Sequence, residues 1–513
     1  MIQRRLLPLL FYSLLIVVMC WPLPLHLHEA WLGYLNVDAL DTISLRGLYL
    51  PSLLGEKQLF WPHLFSILSL LPNHLDHIFG LLFTTILPFP LNDNMWWICI
   101  LMVNALSGHH LGHQLNGKSG GYIFGTTFLL CEPLLREVNL HHAPQSMIFW
   151  LPLYLAAVLR LQAKYDVKDV LWSSVCFAGA CYSYWYFGLF LILGSLPLLY
   201  TLPRKAIALG VLLTSILVAP GMAIVIGGAS PSLIALSPPD PQAWYHQRSD
   251  TPLFFLPFRS ASVSNRISIV LILAALWGIK NTPHRKSIAY MALLGVIMLQ
   301  GYIWDIGEEQ IRLPFYWLGQ LHPFLERLHW PQRWGIVTSL ALCVFASHAP
   351  KPWIWLPIFL AETFFLSANA PLGMVMIRSK KCLQNLSKVE GPLLEIPFSQ
   401  HNWPSVHQRL HKQPMLNPFT LPPEQLPPKG WLKDDRLHET IRALESGSPI
   451  THAKKNLYDL GIRTVYISTN PPSLISQQHI QRMQENLTRA LGAGHQDTCM
   501  ISWTLSSEKE ASP

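Results

Sequence analysis

Up to about residue 370 the chain alternates long apolar runs with short polar breaks. A helix needs about 20 apolar residues to cross a bilayer, where every backbone polar group must be bonded within the segment. The runs "LLPLLFYSLLIVVMCWPLPL", "NMWWICILMVNALSGHHLGHQL", "GGYIFGTTFLLCEPLLREV" and "SMIFWLPLYLAAVLRL" approach that length. The stretch from Leu171 to Tyr200 is long enough for a hairpin of two short spans, whereas "FGLLFTTILPFP" is too short and reads as interfacial or re-entrant. The pattern predicts a polytopic α-helical membrane protein of about eleven transmembrane helices over residues 1–375.

From residue 376 to 513 the pattern changes to ordinary charge density, clustered prolines and short alternating runs. "GPLLEIPFS" and "IRTVYIS" read as strands, and "AKKNLYDLG" as a helix with Gly461 as its C-cap. "QPMLNPFTLPPEQLPPKG" reads as loop or extended chain, since proline supplies no backbone donor. This part is expected to be a separate small α/β domain.

Composition agrees. Of 513 residues 51% are hydrophobic and 13% charged, with mean hydropathy +0.29; a soluble chain carries about twice that charge fraction. The net charge of +8 does not indicate nucleic acid, because the lysines and arginines are scattered between apolar runs without a basic stripe. They set orientation instead. Arg4 and Arg5 precede the first span, and short loops with Lys118, with Arg160, Lys164 and Lys168, with Arg204 and Lys205, and with "KNTPHRKS" alternate to the same side. This puts the N-terminus in the cytoplasm and the longer loops and the C-terminal domain on the far side. The first run lacks a small-residue cleavage site and is expected to stay as a span. Cys20, Cys99, Cys131, Cys176, Cys181 and Cys343 fall in or beside apolar runs, as buried thiols do; Cys382 and Cys499 lie in the polar tail.

Three places carry candidate chemistry. Asp38 and Asp41 in "NVDALDT" lie three apart just beyond the first span. On a helical turn they face one way, able to share a proton or hold a cation, but they equally suit a wet loop or a helix N-cap. "CEPLLREVNLHHAPQ" places Glu132 and Glu137, with Arg136, at the outer end of a span, followed by His141 and His142. Acids near membrane depth line a cavity or pair with a base, and the two histidines are candidates to meet an acceptor or a metal. "RLPFYWLGQLHPFLERLHWPQRWGIV" carries Arg312, Arg327 and Arg333 among three tryptophans. Arginine grips phosphate bidentately, although snorkelling arginines in an interfacial aromatic belt fit the same pattern. His109 and His113 lie one turn apart but lack a following glutamate, which favours a structural role. No nucleotide loop, dinucleotide fingerprint or nucleophile elbow occurs, so neither a nucleotide nor a redox cofactor is expected.

In order along the chain, "VDALDT", "VNLHHAPQSMIFWLPLYLAAVLRL", "YSYWYFGLFLILGSLPLLY", "ERLHWPQRWGIVTSLAL", "LLEIPFS" and "LGIRTVYIS" resemble motifs of the GT-C superfamily of polytopic glycosyltransferases, in its large uncharacterised bacterial branch. The resemblance covers nearly the whole chain, although Val37 stands where many relatives have glycine. It implies transfer of a sugar from a polyprenyl-phosphate donor to a glycan, lipid or protein acceptor on the extracytoplasmic face of the bacterial inner membrane. By position Asp38, with Asp41 beside it, would act as general base or hold a divalent cation such as Mg or Mn. Arg333 would neutralise the departing lipid phosphate, with Arg327 and Arg312 as further phosphate ligands. Glu132 and Glu137 have no clear counterpart in that branch; topology alone makes one of them the second acid. The alternatives are a lipid or polysaccharide transporter using the same outer cavity, or a non-catalytic membrane scaffold.

Overall fold

The computed structural model describes residues 2–34, 74–227, 267–301, 303–306, 309–321, 331–367, 369–376, 393–396, 415–416, 435–446, 452–459, 462–468, 477–496 and 500–505. Asp38, Asp41, Arg327, Gly461, Cys382 and Cys499 lie outside them.

The first part is helical. α1 (Ile2–Met19) leads to the short strand β1 (Ala30–Leu32). After α2 (His74–Ile86) comes α3 (Leu91–Leu129), two helices joined at a sharp reversal where Asn116 and Gly117 leave helical geometry. Gly117 takes the left-handed φ of 63° that glycine tolerates. The two arms return side by side: a Cβ on Gly112 would stand 2.3 Å from the Gly120 carbonyl, so glycines permit the close approach. The expected reversal beside Lys118 is thus a single tight turn.

The run expected to end in "CEPLLREV" does not continue as one helix. It stops at Leu129, and α4 (Glu132–Asn139) starts anew behind an extended Cys131. Pro133 explains the break, since it lacks an N–H for the preceding turn and favours the first turn of a helix. α5 (Ala143–Ser146) and α6 (Trp150–Ala163) follow. The stretch read as a hairpin forms α7 (Val167–Ser183) and α8 (Trp185–Tyr200), broken at the extended Tyr184. Then come α9 (Arg204–Gly227), α10 (Ile269–Gly278) and α11 (Arg285–Leu299). The antiparallel hairpin β2 (Ile303–Ile306) and β3 (Glu309–Arg312) precedes α12 (Pro314–Gln320). A short 3-10 turn (Pro331–Trp334), α13 (Gly335–Ala346), α14 (Pro352–Leu366) and β4 (Met374–Met376) complete this part. β4 pairs antiparallel with β1.

Most of these elements share one apolar core running from Tyr12 to Leu372, with Trp31, Trp97 and Trp334 fully buried, and α9 packs in a smaller cluster of Leu161, Val170, Leu202 and Ala206. Among the described residues two stretches are long and apolar enough to cross a membrane, Ala143–Ala163 and Arg204–Gly221; shorter apolar helices include Leu6–Met19, Trp185–Tyr200 and Pro352–Leu366. Their outer faces carry exposed Leu10, Leu14, Val211, Leu212, Ile216, Leu276 and Trp277, as a surface in contact with lipid would.

A second core gathers residues from Leu394 to Leu505. Its five-stranded sheet has the order β6 (Met415–Leu416), β5 (Leu393–Ile396), β7 (Thr464–Ser468), β9 (Met500–Thr504), β8 (His495–Gln496). β5 is parallel to β6 and β7, and β9 is antiparallel to β7 and β8. Helices α15 (Asp435–Ser446), α16 (Ala453–Asp459) and α17 (Gln477–Leu491) supply its apolar cover. Inside the sheet the Tyr466 hydroxyl donates to Glu395 at 2.7 Å. Burial first, then the neighbouring carboxylate, pushes that phenol well above its ordinary value.

Candidate functional site

α4 carries the most densely charged buried cluster among the described residues of the helical part, and all eight of its residues are buried. Glu132 and Glu137 are five positions apart, which turns their side chains roughly 140° from each other. They therefore face different surroundings.

Glu137 is held by two guanidiniums and an imidazole. Arg136 donates to its Oε1 at 2.5 Å, Arg333 Nε lies 3.6 Å from the same oxygen, and His142 Nδ1 is 2.6 Å from Oε2. Burial by itself would raise this carboxyl; the guanidiniums of Arg136 and Arg333 and the His142 imidazole outweigh it and hold it well below 4.5. Arg333 also donates to the Tyr184 hydroxyl at 2.5 Å, with its guanidinium carbon 5.0 Å from that ring's centre. Tyr184 is available because the chain is extended between α7 and α8. Arg136, Glu137 and Arg333 line a half-open recess together with Gln145 and Phe187. Two guanidiniums at one recess suit an anion with several acceptor oxygens.

Glu132 faces a second recess, shared with Ser268, Ser339 and Glu362. Its Oε2 accepts from Asn369 Nδ2 at 2.9 Å. Glu362, on apolar α14, accepts from Ser268 Oγ and from the backbone N–H groups of Ile269 (2.9 Å) and Val270 (2.9 Å), capping the start of α10. Four orphan N–H groups and a positive dipole end account for a carboxylate there.

The adjacent histidines part company. His142 joins Glu137, whereas His141 takes φ 60° and turns inward, fully buried. Its Nδ1 donates to the Leu32 carbonyl at 2.8 Å, and its Nε2 lies 2.8 Å from Asp93 Oδ2 and 2.9 Å from the Trp97 indole nitrogen. Asn94 accepts from the Leu32 N–H at 3.1 Å. β1 is thus gripped from both sides of one residue. Beyond it, Gly33 N–H donates to Gly373 and Tyr34 N–H to the Asn139 carbonyl at 2.6 Å, so the chain leaves the described region at the end of α4.

Arg312 stands apart from this cluster: it is exposed and lies over the rings of Tyr316 (5.0 Å) and Trp317 (5.9 Å). His109 meets Tyr12 at 3.1 Å, with its ring centre 6.2 Å from that of His113, an aromatic packing arrangement. Among the described residues no three His, Cys, Asp or Glu side chains are placed to hold a metal ion. Asp38 and Asp41, the pair offered for a divalent cation, lie outside the described residues.

Sequence reasoning missed Asp93, Asn94, Tyr184, Asn139 and Asn369. "LNDNMWW" carried a signal, three polar residues opening an apolar run. Nothing distinguishes Tyr184 from its aromatic neighbours.

No family model and no curated protein matches the sequence. Solved structures do. The arabinofuranosyltransferase AftD from Mycobacteria aligns with 97% of this chain at TM-score 0.53 and 14% identity; a variant of it aligns at TM-score 0.53 and 13% identity. The chain shares its fold with that arabinofuranosyltransferase. It spans 39% of AftD's length in the first alignment and 41% in the second. An oligosaccharyltransferase from Archaeoglobus fulgidus, solved with Zn and sulfate, aligns over 98% of this chain and 73% of its own at TM-score 0.46 and 11% identity.

Proposed function

We propose that the chain is a membrane glycosyltransferase that moves a sugar from a polyprenyl-phosphate donor to an acceptor on the extracytoplasmic face. The observation that carries this reading is the pair of buried guanidiniums, Arg136 and Arg333, gathered with Glu137 on a half-open recess of a fold shared with AftD. In the reaction an acceptor hydroxyl oxygen attacks the anomeric carbon, the bond from that carbon to the phosphate oxygen breaks, and the polyprenyl phosphate departs. Arg333 neutralises the departing phosphate, and Arg136 adds charge beside it. The hydroxyl proton goes to a carboxylate, for which we assign Asp38 with Asp41 as neighbour. Tyr34 is tied to Asn139, two residues from Glu137, and the four residues from Tyr34 to Asp38 reach at most about 14 Å. Glu137 keeps the two arginines in place; Glu132 belongs to the other recess. We assign about eleven spans within residues 1–375, a C-terminal α/β domain at 376–513, a cytoplasmic N-terminus and the bacterial inner membrane as location.

The test is turnover of a polyprenyl-phosphate sugar in membranes, with wild type, Asp38→Asn, Asp41→Asn and Arg333→Gln at matched expression. Transfer in wild type that is lost in Asp38→Asn and Arg333→Gln supports the assignment. Full transfer in Asp38→Asn removes it as the base. Failure of wild type across a broad donor panel, with vectorial lipid movement instead, replaces the enzyme with a transporter.

A further inference from the structure

α11 opens beside the basic positions Lys280, Arg285 and Lys286 and buries Ile288, Met291 and Met298. On its other side Leu293 and Ile297 are exposed. Its fifteen residues rise about 22 Å, most of a hydrocarbon core of about 30 Å. The β2–β3 hairpin and α12 therefore follow at the end of α11 away from its basic turn, and α12 packs back on α11.

α12 is divided by side. Phe315 is 1% exposed and anchors it in the core, with Tyr316 and Leu318 packed against that core. Outward stand Trp317 at 55%, Leu321 at 75% and, on β3, Ile311 at 44% exposure. Arg312 covers the Tyr316 and Trp317 rings. Exposed tryptophan and leucine beside an arginine held on aromatic faces suit the boundary between acyl chains and headgroups, where the apolar body is buried and the guanidinium reaches phosphate. α12 packs on α11, whose other side is apolar and exposed, which points to lipid as the patch's occupant.

We propose that β3 and α12 form an interfacial anchor: Ile311, Trp317 and Leu321 enter the outer acyl boundary, and Arg312 binds the phosphate of a bulk phospholipid. The inference rests on the membrane reading above and gives Arg312 a different ligand from Arg333.

The test uses the full chain, with reactive thiols replaced by serine, in phosphatidylcholine–phosphatidylglycerol vesicles. An environment-sensitive fluorophore is placed at Leu321→Cys or, as a control on α11, at Leu293→Cys. Nitroxide lipids quench from near the headgroup or from near the chain end. The expected result is strongest shallow quenching at position 321 and strongest deep quenching at 293. Quenching at 293 but none at 321 overturns the anchor, leaving water, a protein partner or a second copy on that face. Absence of quenching at both positions overturns the membrane reading and the anchor with it. Adding Arg312→Gln should lower the preference of the 321 label for nitroxide phosphatidylglycerol over phosphatidylcholine about fivefold; an unchanged preference overturns the phosphate contact.

Discussion

His141 and His142 are neighbours in sequence, each paired with a carboxylate, yet they serve different surroundings. The Asp93–His141 pair has side-chain exposures of 0% and 1%, with its neighbours Trp97 and Leu32 also sealed. The Glu137–His142 pair, at 7% and 11%, borders a recess lined by two guanidiniums. A closed pair with every group assigned is a clamp. A pair that shares an opening with two guanidiniums is a place for a ligand. The left-handed backbone at His141 turns one ring inward and leaves the other on α4's charged side.

The largest effect should come from breaking the clamp. Asp93→Ala leaves His141 buried without its carboxylate and should cost about 3–5 kcal/mol, seen as a lowered Tm in detergent. His142→Ala, at the edge of the recess, should cost about 1 kcal/mol; equal losses would erase the contrast. Next, Arg333→Gln should lower sugar transfer about a hundredfold in kcat per folded molecule, whereas Asp93→Ala should lower activity only in proportion to the folded fraction. Tyr184→Phe, which removes one hydrogen bond to Arg333, should reduce transfer about five- to tenfold, and Arg333 should lose phosphate-analogue protection in thermal shift assays by a similar factor.

Acidity gives the smallest and most specific contrast. The Glu137 carboxyl is depressed in the folded protein, so its stabilising contribution is complete above its unfolded value near 4.5 and is lost as pH falls through the lower folded value. Tm should stay level from neutral pH down to about 5 on this account and fall below it, and Glu137→Gln should flatten that fall. A fall that persists unchanged in Glu137→Gln assigns it to another acid.

Much of the fold was legible. Tyr184 breaks the stretch from Leu171 to Tyr200 into two helices, and "LLEIPFS" and "IRTVYIS" contain β5 and β7. The break at Cys131 was not anticipated, although Pro133 was visible, because a hydropathy run registers apolar content and not the missing N–H. Of the candidate acids and bases, the structure joins Glu137, Arg136, His142 and Arg333, sends Glu132 to another recess, buries His141 and leaves Arg312 on an exposed aromatic face.

Local chemistry determined what the sequence alone could carry: apolar length predicts helices suited to lipid, alternation predicts strands, and proline and glycine predict breaks, because each depends on neighbours a few residues away. Which carboxylate meets which arginine depends on helical phase, on one left-handed residue and on packing between segments far apart in the chain. Arg333 reaches Glu137 only after α13 is seated against the rest of the core. That pairing is a property of the assembled helices, so tertiary structure alone decided it.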